Sequence, residues 1–285
     1  MLKGVQKMSM DRVGLPLFLC LDEEGGTVAR VASNPELGVT DVGNMSEIGA
    51  SGDVNQAGQA GEAIGTYLSE LGFNVDFAPI ADVLGDPDYE LLKYRSFGSD
   101  PQLVSDMALA LRRGLEHHSV QSVYKHFPGH GFASGDSHEG YVQVTKSLSE
   151  LKATDLVPYQ NAIKDGLSWI MVGHISLPNA TNEELPASLS PEIITKLLRE
   201  EMGYDGIVIT DAMEMGAIAE NYSSAEASVK ALEAGCDMIL MPGDFRAAYD
   251  AVLEAIKSGR ISQERLDVSL TRILRNKNNI AKTTD

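Results

Sequence analysis

Cysteine is nearly absent from this 285-residue chain. There are two, Cys20 and Cys236, each inside an apolar run, FLCLD and CDMILM. Buried reduced thiols are the default there, and the spacing asks for no disulfide framework. Positive charge is scarce too: Lys plus Arg number 23 against 41 Asp plus Glu, a formal net charge of −18. Such a surface repels nucleic acid and anionic membranes at long range, so neither is expected as a partner. The plainest consequence of the charge is solubility. No run approaches the roughly 20 apolar residues that span a bilayer. The opening MLKGVQKMSMDRVG lacks the apolar core and small-residue cleavage site of an export signal, so a cytoplasmic location is expected. There is no Pro/Gly/Ser linker, low-complexity tract or short repeat, which leads to the expectation of one domain over residues 1–285.

What is present is the composition of a globular enzyme with a real core, 43% hydrophobic and 22% charged. Six apolar runs stand out: LPLFLCLD (15–22), NVDFAPIADV (74–83), SVYKHF (122–127), SWIMVGHI (168–175), GIVITDAM (206–213) and CDMILMPG (236–243). They are mostly continuous rather than alternating, as in strands buried on both faces of a parallel sheet. Between them helical periodicity covers 53–73, 100–117, 147–166, 190–203, 223–235 and 244–259, and 261–278 follows. Asp100-Pro101 opens one helix, and Ser147 with Glu150 forms a capping box on another. The alternation predicts right-handed βαβ units and an α/β fold. Asp22, Asp82, His126, His174 and Asp211 fall at the C-terminal ends of their strands. In a barrel those ends share one mouth, whereas an open sheet needs polar groups only beside its switch point. The pattern favours a TIM-type barrel, yet six strands are two short of eight.

The chemistry concentrates in KHFPGHGFASGDSH (125–138). His126 and His130 with a third histidine suggest zinc. Pro128 and Gly129 would break the helix that puts them on one face, and no HExxH-type partner is present. The alternative is acid–base work. Asp136, two residues before His138, accepts a hydrogen bond from one ring nitrogen and leaves the other to act as acid and then base. GIVITDAMEM (206–215) ends a strand on Asp211, which suits either a rigidly held nucleophile or a helix N-cap. DEEGGTVAR (22–30) carries Asp22 and Arg30 around a Gly25-Gly26 turn, and Arg95 lies in YRSFG. Two arginines, Lys125 and a set of Asp and His residues suit a polyhydroxylated ligand.

Together these motifs resemble glycoside hydrolase family 3, in its β-N-acetylhexosaminidase branch. The resembling stretches are DEEGGTVAR, NVDFAPIADV, RSFGSDP (95–101), KHFPGHG, DSH, MVGHI and VITDAMEM, in the family's order. The resemblance implies Asp211 as nucleophile and Asp136–His138 as an acid/base dyad. It implies Asp22, Arg30, Arg95, Lys125, His126 and His174 as substrate-binding residues. It further implies a retaining hydrolase of terminal β-linked N-acetylglucosamine, acting on peptidoglycan turnover fragments without metal or cofactor. Phosphorolysis of the same bond stays open, because a neutral histidine does not repel an incoming anion. A catalytically silent sugar-binding protein is the alternative of another class.

One departure matters. The family has two strands before DEEGG, and here only the helix-like MLKGVQKMSMDRVG precedes that strand. The expectation is a barrel of about six β/α units, with strands 15–21 and 237–241 carrying unpaired edges open to self-association. A longer natural chain, a second copy filling the gap, or an adapted barrel would each resolve it.

Overall fold

In the computed structural model, which describes residues 1–133, 142–181 and 184–283, every one of the six apolar runs contains a strand, though a shorter one than the run. The strands are β1 (Cys20–Leu21), β2 (Glu23–Gly25), β3 (Val28–Ala29), β4 (Val75–Asp76), β5 (Gln121–Ser122), β6 (Tyr124–Phe127), β7 (Trp169–Val172), β8 (Ile207–Ala212) and β9 (Met238–Leu240). The chain divides into two compact units. The first holds Met1–Lys125, Val157–Ala162 and Leu274–Asp285, and the second holds His126–Leu156 and Ile163–Ile273.

In the first unit β1, β4 and β5 pair in parallel, with Cys20 opposite Val75 and Val75 opposite Gln121. A further parallel bridge joins Ile80 to Lys125. The helices Val54–Leu71 and Pro101–His117 bury Ile64, Leu68, Met107 and Leu111. Asp53 and Asp100 cap them, each accepting from a backbone N–H of its own first turn. The Gly25-Gly26 turn is a tight antiparallel hairpin of β2 and β3, with both glycines at positive φ, 94° and 54°.

The second unit contains a sheet in the order β6-β7-β8-β9, with β7, β8 and β9 parallel. Trp169, Ile194, Leu198 and Val208 are fully buried around it. The stretch 147–166, expected as one helix, is two: Leu148–Ala153 in this unit, and Val157–Lys164, whose Val157–Ala162 part belongs to the first. Asp155 separates them because its carboxylate turns inward, accepting from Lys146 Nζ at 2.6 Å and Thr154 Oγ1 at 2.6 Å. The stretch 190–203 carries a ten-residue π-helix, Glu192–Glu201.

Among the described residues the pairings support a parallel α/β fold and do not include closure into a six-unit barrel. β1 and β9 are each the outer strand of their own sheet. The residues leading into β1 are better satisfied than expected. Gln6, on the helix Leu2–Val13, exchanges two hydrogen bonds with the Leu17 backbone, and Ser9 Oγ donates to Leu15 O. Lys277 donates to Pro16 O. Among the described residues, no helix is long and apolar enough to cross a membrane.

Candidate functional site

Within the first unit the candidate residues sit where a strand ends and a hairpin begins. Side chains alternate along extended backbone, so Asp22 and Glu24 share a face and Glu23 points the other way. Lys125 Nζ, buried, lies 2.5 Å from Asp22 Oδ1 and 2.6 Å from Glu24 Oε1. Arg95 completes the group with a two-point contact, Nε at 2.7 Å and Nη2 at 2.8 Å from the Glu24 carboxylate. Burial alone would raise the Glu24 carboxyl. The Lys125 and Arg95 cations override it and hold the group down to about 2. Burial likewise works against charge on Lys125, but Glu24 and then Asp22 keep its ammonium above the ordinary range. The result is a fixed set of charged donors and acceptors at neutral pH, with the Asp22 side chain 36% exposed and reachable by a ligand.

Glu23 has a different task. Its carboxylate accepts from Val31 N at 2.7 Å, Ala32 N at 2.9 Å and Tyr67 Oη at 2.9 Å. These bonds hold the turn that carries Arg30, whose own side chain is exposed. Glu23 N donates to Asp76 Oδ1 at 2.9 Å, and burial pushes the Asp76 carboxyl well above the usual range. Sequence reasoning missed Glu23, Glu24 and Asp76. Period-two alternation through DEE was the signal that could have separated the first two.

Within the second unit, Asp211 stands near the C-terminal end of β8, half-buried. Its Oδ1 accepts from Ala212 N at 2.7 Å, which orients the carboxylate. His174 Nε2 lies 3.0 Å from Ala212 O, and Nδ1 lies 2.7 Å from Ser188 Oγ. A carbonyl only accepts, so Nε2 carries the proton and Nδ1 accepts from the serine hydroxyl. Burial lowers the His174 imidazole below its ordinary range, against the opposing pull of the Asp211 charge. His174 is thus a neutral ring that grips the peptide following Asp211. His126 is buried at the end of β6, its ring 5.8 Å from that of His130 in an edge-on contact. The turn after β6 presses on Asp155: a Cβ on Gly129, at φ 128°, would lie 2.6 Å from the Asp155 Cβ.

The first unit therefore brings Asp22, Arg95 and Lys125 together, with Arg30 on a braced turn nearby in sequence. The second brings Asp211 and His174 together. Asp136 and His138, expected as the acid/base dyad, lie outside the described residues. Asp82 is fully buried, and its backbone carbonyl accepts from Ser96 Oγ at 2.7 Å.

Residues 2–276 match the glycosyl hydrolase family 3 N terminal domain. The chain is 35% identical over 294 residues to beta-hexosaminidase A of Pseudoalteromonas piscicida, covering 95% of this chain and 48% of that protein. It is 38% identical over 267 residues to beta-hexosaminidase LpqI of Mycobacterium tuberculosis, covering 91% of this chain and 67% of that one. The solved glycoside hydrolase family 3 beta-N-acetylglucosaminidase from Paenibacillus sp. str. FPU-7 superposes with a TM-score of 0.91 at 40% identity, over 97% of this chain and 52% of that chain. The chain thus spans about half the length of the first and third of these relatives.

Proposed function

The chain belongs to glycosyl hydrolase family 3, and from that premise we propose that it removes terminal β-linked N-acetylglucosamine with retention of configuration. The observation that carries this reading is Asp211: a carboxylate near a strand's C-terminal end, oriented by the Ala212 N–H, with the carbonyl of that same Ala212 held by neutral His174. That is the rigid placement a nucleophile needs. Asp211 attacks the anomeric carbon, the bond to the leaving oxygen breaks, and that oxygen takes up a proton. Water then attacks the glycosyl-enzyme and releases Asp211 as a carboxylate. The proton donor is assigned to His138, oriented by Asp136, on the family's pattern.

Asp22, Arg95 and Lys125 supply the acceptors and donors that sugar hydroxyls require, with Arg30 and His126 as further contacts. His174 contributes through the backbone beside Asp211. The substrate class is peptidoglycan turnover fragments bearing terminal N-acetylglucosamine. On the same reading the parallel strands form one (β/α)-barrel-type domain.

The test is release of 4-nitrophenol from its β-N-acetylglucosaminide by the purified chain, with and without phosphate. Turnover that falls at least about 10³-fold in Asp211→Asn, with the unfolding midpoint kept, supports the reading. Sugar 1-phosphate formed only when phosphate is added would make the activity phosphorolysis. A folded chain without turnover that still binds N-acetylglucosamine glycans would overturn catalysis in favour of sugar binding.

A further inference from the structure

A second cluster of ligating side chains lies in the first unit, and it contains none of the residues assigned to the sugar. His117 is the last residue of the helix Pro101–His117, and His118 is its C-cap. Glu62 lies on the helix Val54–Leu71. The Glu62 carboxylate reaches both rings: Oε1 and Oε2 are 2.8 and 3.0 Å from His117 Nδ1, and Oε2 is 2.7 Å from His118 Nε2. One ligand atom from each of the three residues lies within 4.8 Å of the others. Thr66 Oγ1, which donates to Glu62 O, stands 3.3 Å from His118 Nε2.

Two features separate this group from a chance surface ion pair. The first is rigidity. The two helices touch backbone to backbone: a Cβ on Gly61 would lie 2.1 Å from Leu111 O, and one on Gly114 would lie 2.5 Å from Glu62 N. Real side chains never come so close, so glycine lets the backbones set the spacing of the donors. The second is the donor set. Two imidazole nitrogens and one carboxylate oxygen are the ligands of zinc-class ions rather than of magnesium or calcium, which take oxygen alone. Metal–ligand bonds of about 2.0–2.1 Å require donors roughly 3.3 Å apart. The Glu62–imidazole contacts would open by about half an ångström to take the ion, with the two imidazole nitrogens, now within 4.8 Å of each other, adjusting to the same spacing. Side-chain exposures of 71% for His117, 46% for Glu62 and 28% for His118 leave room for water in the remaining positions.

We propose that Glu62, His117 and His118 form a zinc site that clamps the end of one helix to the side of the other. Each imidazole binds through a nitrogen lone pair, and any proton shared with Glu62 leaves to solvent as the ion enters. None of the three is among the residues assigned to the sugar, and the ligands join two helices, so the role proposed is structural.

The test is calorimetric titration of Zn²⁺ into the full chain after chelator treatment and dialysis. Wild type is compared with His117→Ala/His118→Ala and with Glu62→Gln. The other histidines are unchanged in every variant, so differences report this cluster alone. The expected result is one zinc fewer per chain in the double variant and affinity weakened about tenfold or more in Glu62→Gln. A zinc-dependent rise in unfolding midpoint should appear in wild type and vanish in the double variant. Equal stoichiometry in wild type and double variant would overturn the proposal. If the double variant fails to fold, His117→Ala alone carries the same comparison, because that side chain is largely exposed.

Discussion

Two buried charge networks in this molecule use the same chemistry at opposite ends of strands. In the first unit, Lys125 and Arg95 meet Asp22 and Glu24 just past the C-terminal end of β1. In the second unit, Asp237 stands immediately before β9. Its Oδ2 takes Arg199 at 2.5 Å and Val208 N at 3.0 Å, and its Oδ1 takes Ser269 Oγ at 2.5 Å and Arg272 at 3.2 Å. The Asp237 side chain is fully buried and its acceptor capacity is spent on the fold. Asp22 keeps a third of its side chain in solvent. C-terminal strand ends bind ligands in α/β proteins, and N-terminal ends serve stability. An ion pair is therefore read by the strand end it occupies and by whether its lone pairs are already used.

The comparison can be broken by substitution. Asp237→Ala leaves three guanidinium groups, those of Arg199, Arg265 and Arg272, short of their shared partner, so it should cost about 3–5 kcal/mol. A urea unfolding curve measures this, and KM on the aryl glycoside should barely move for protein that stays folded. A large KM change without loss of stability would erase the distinction. Glu24→Gln should move turnover as well as stability. It should lower kcat/KM by about 10- to 100-fold, roughly 1.4–2.7 kcal/mol of transition-state stabilisation, by releasing Arg95 and loosening Lys125.

The pH dependence sharpens the same contrast. Glu24 is depressed to about 2 in the folded protein, so its contribution is full above the ordinary carboxylate value and is lost as pH falls toward 2. The stake is on the order of 3 kcal/mol. Stability followed from pH 6 to pH 2 should fall more steeply in wild type than in Glu24→Gln across that window. Parallel profiles would remove Glu24 as the titrating group. The smallest effect is expected from Tyr67→Phe, which deletes one hydrogen bond to Glu23 and should cost about 1 kcal/mol. It should raise KM slightly through the turn that carries Arg30.

Much of this was legible along the chain. The strands were, because a run buried on both faces must be apolar throughout. Helix starts were, because Asp100-Pro101 and Ser147 with Glu150 satisfy orphan N–H groups locally. The place of Asp211 near a strand end was, because it closes an apolar run, but the run by itself did not separate a nucleophile from a helix cap. The break at Asp155 was not legible, since the inward turn of its carboxylate and the close approach of Gly129 come from packing.

By itself, the order of residues determined the strand–helix alternation, the caps and the family. Each rests on neighbours in sequence or on a motif in one stretch. Tertiary structure alone decided that Glu24 shares Lys125 with Asp22 while Glu23 braces a turn. It also decided that His174 grips the Ala212 carbonyl and that Glu62 meets His117 and His118 from 55 residues away. Such roles depend on which faces two distant backbones present to each other, and the spacing of residues in a chain does not encode that until the helices and strands have packed.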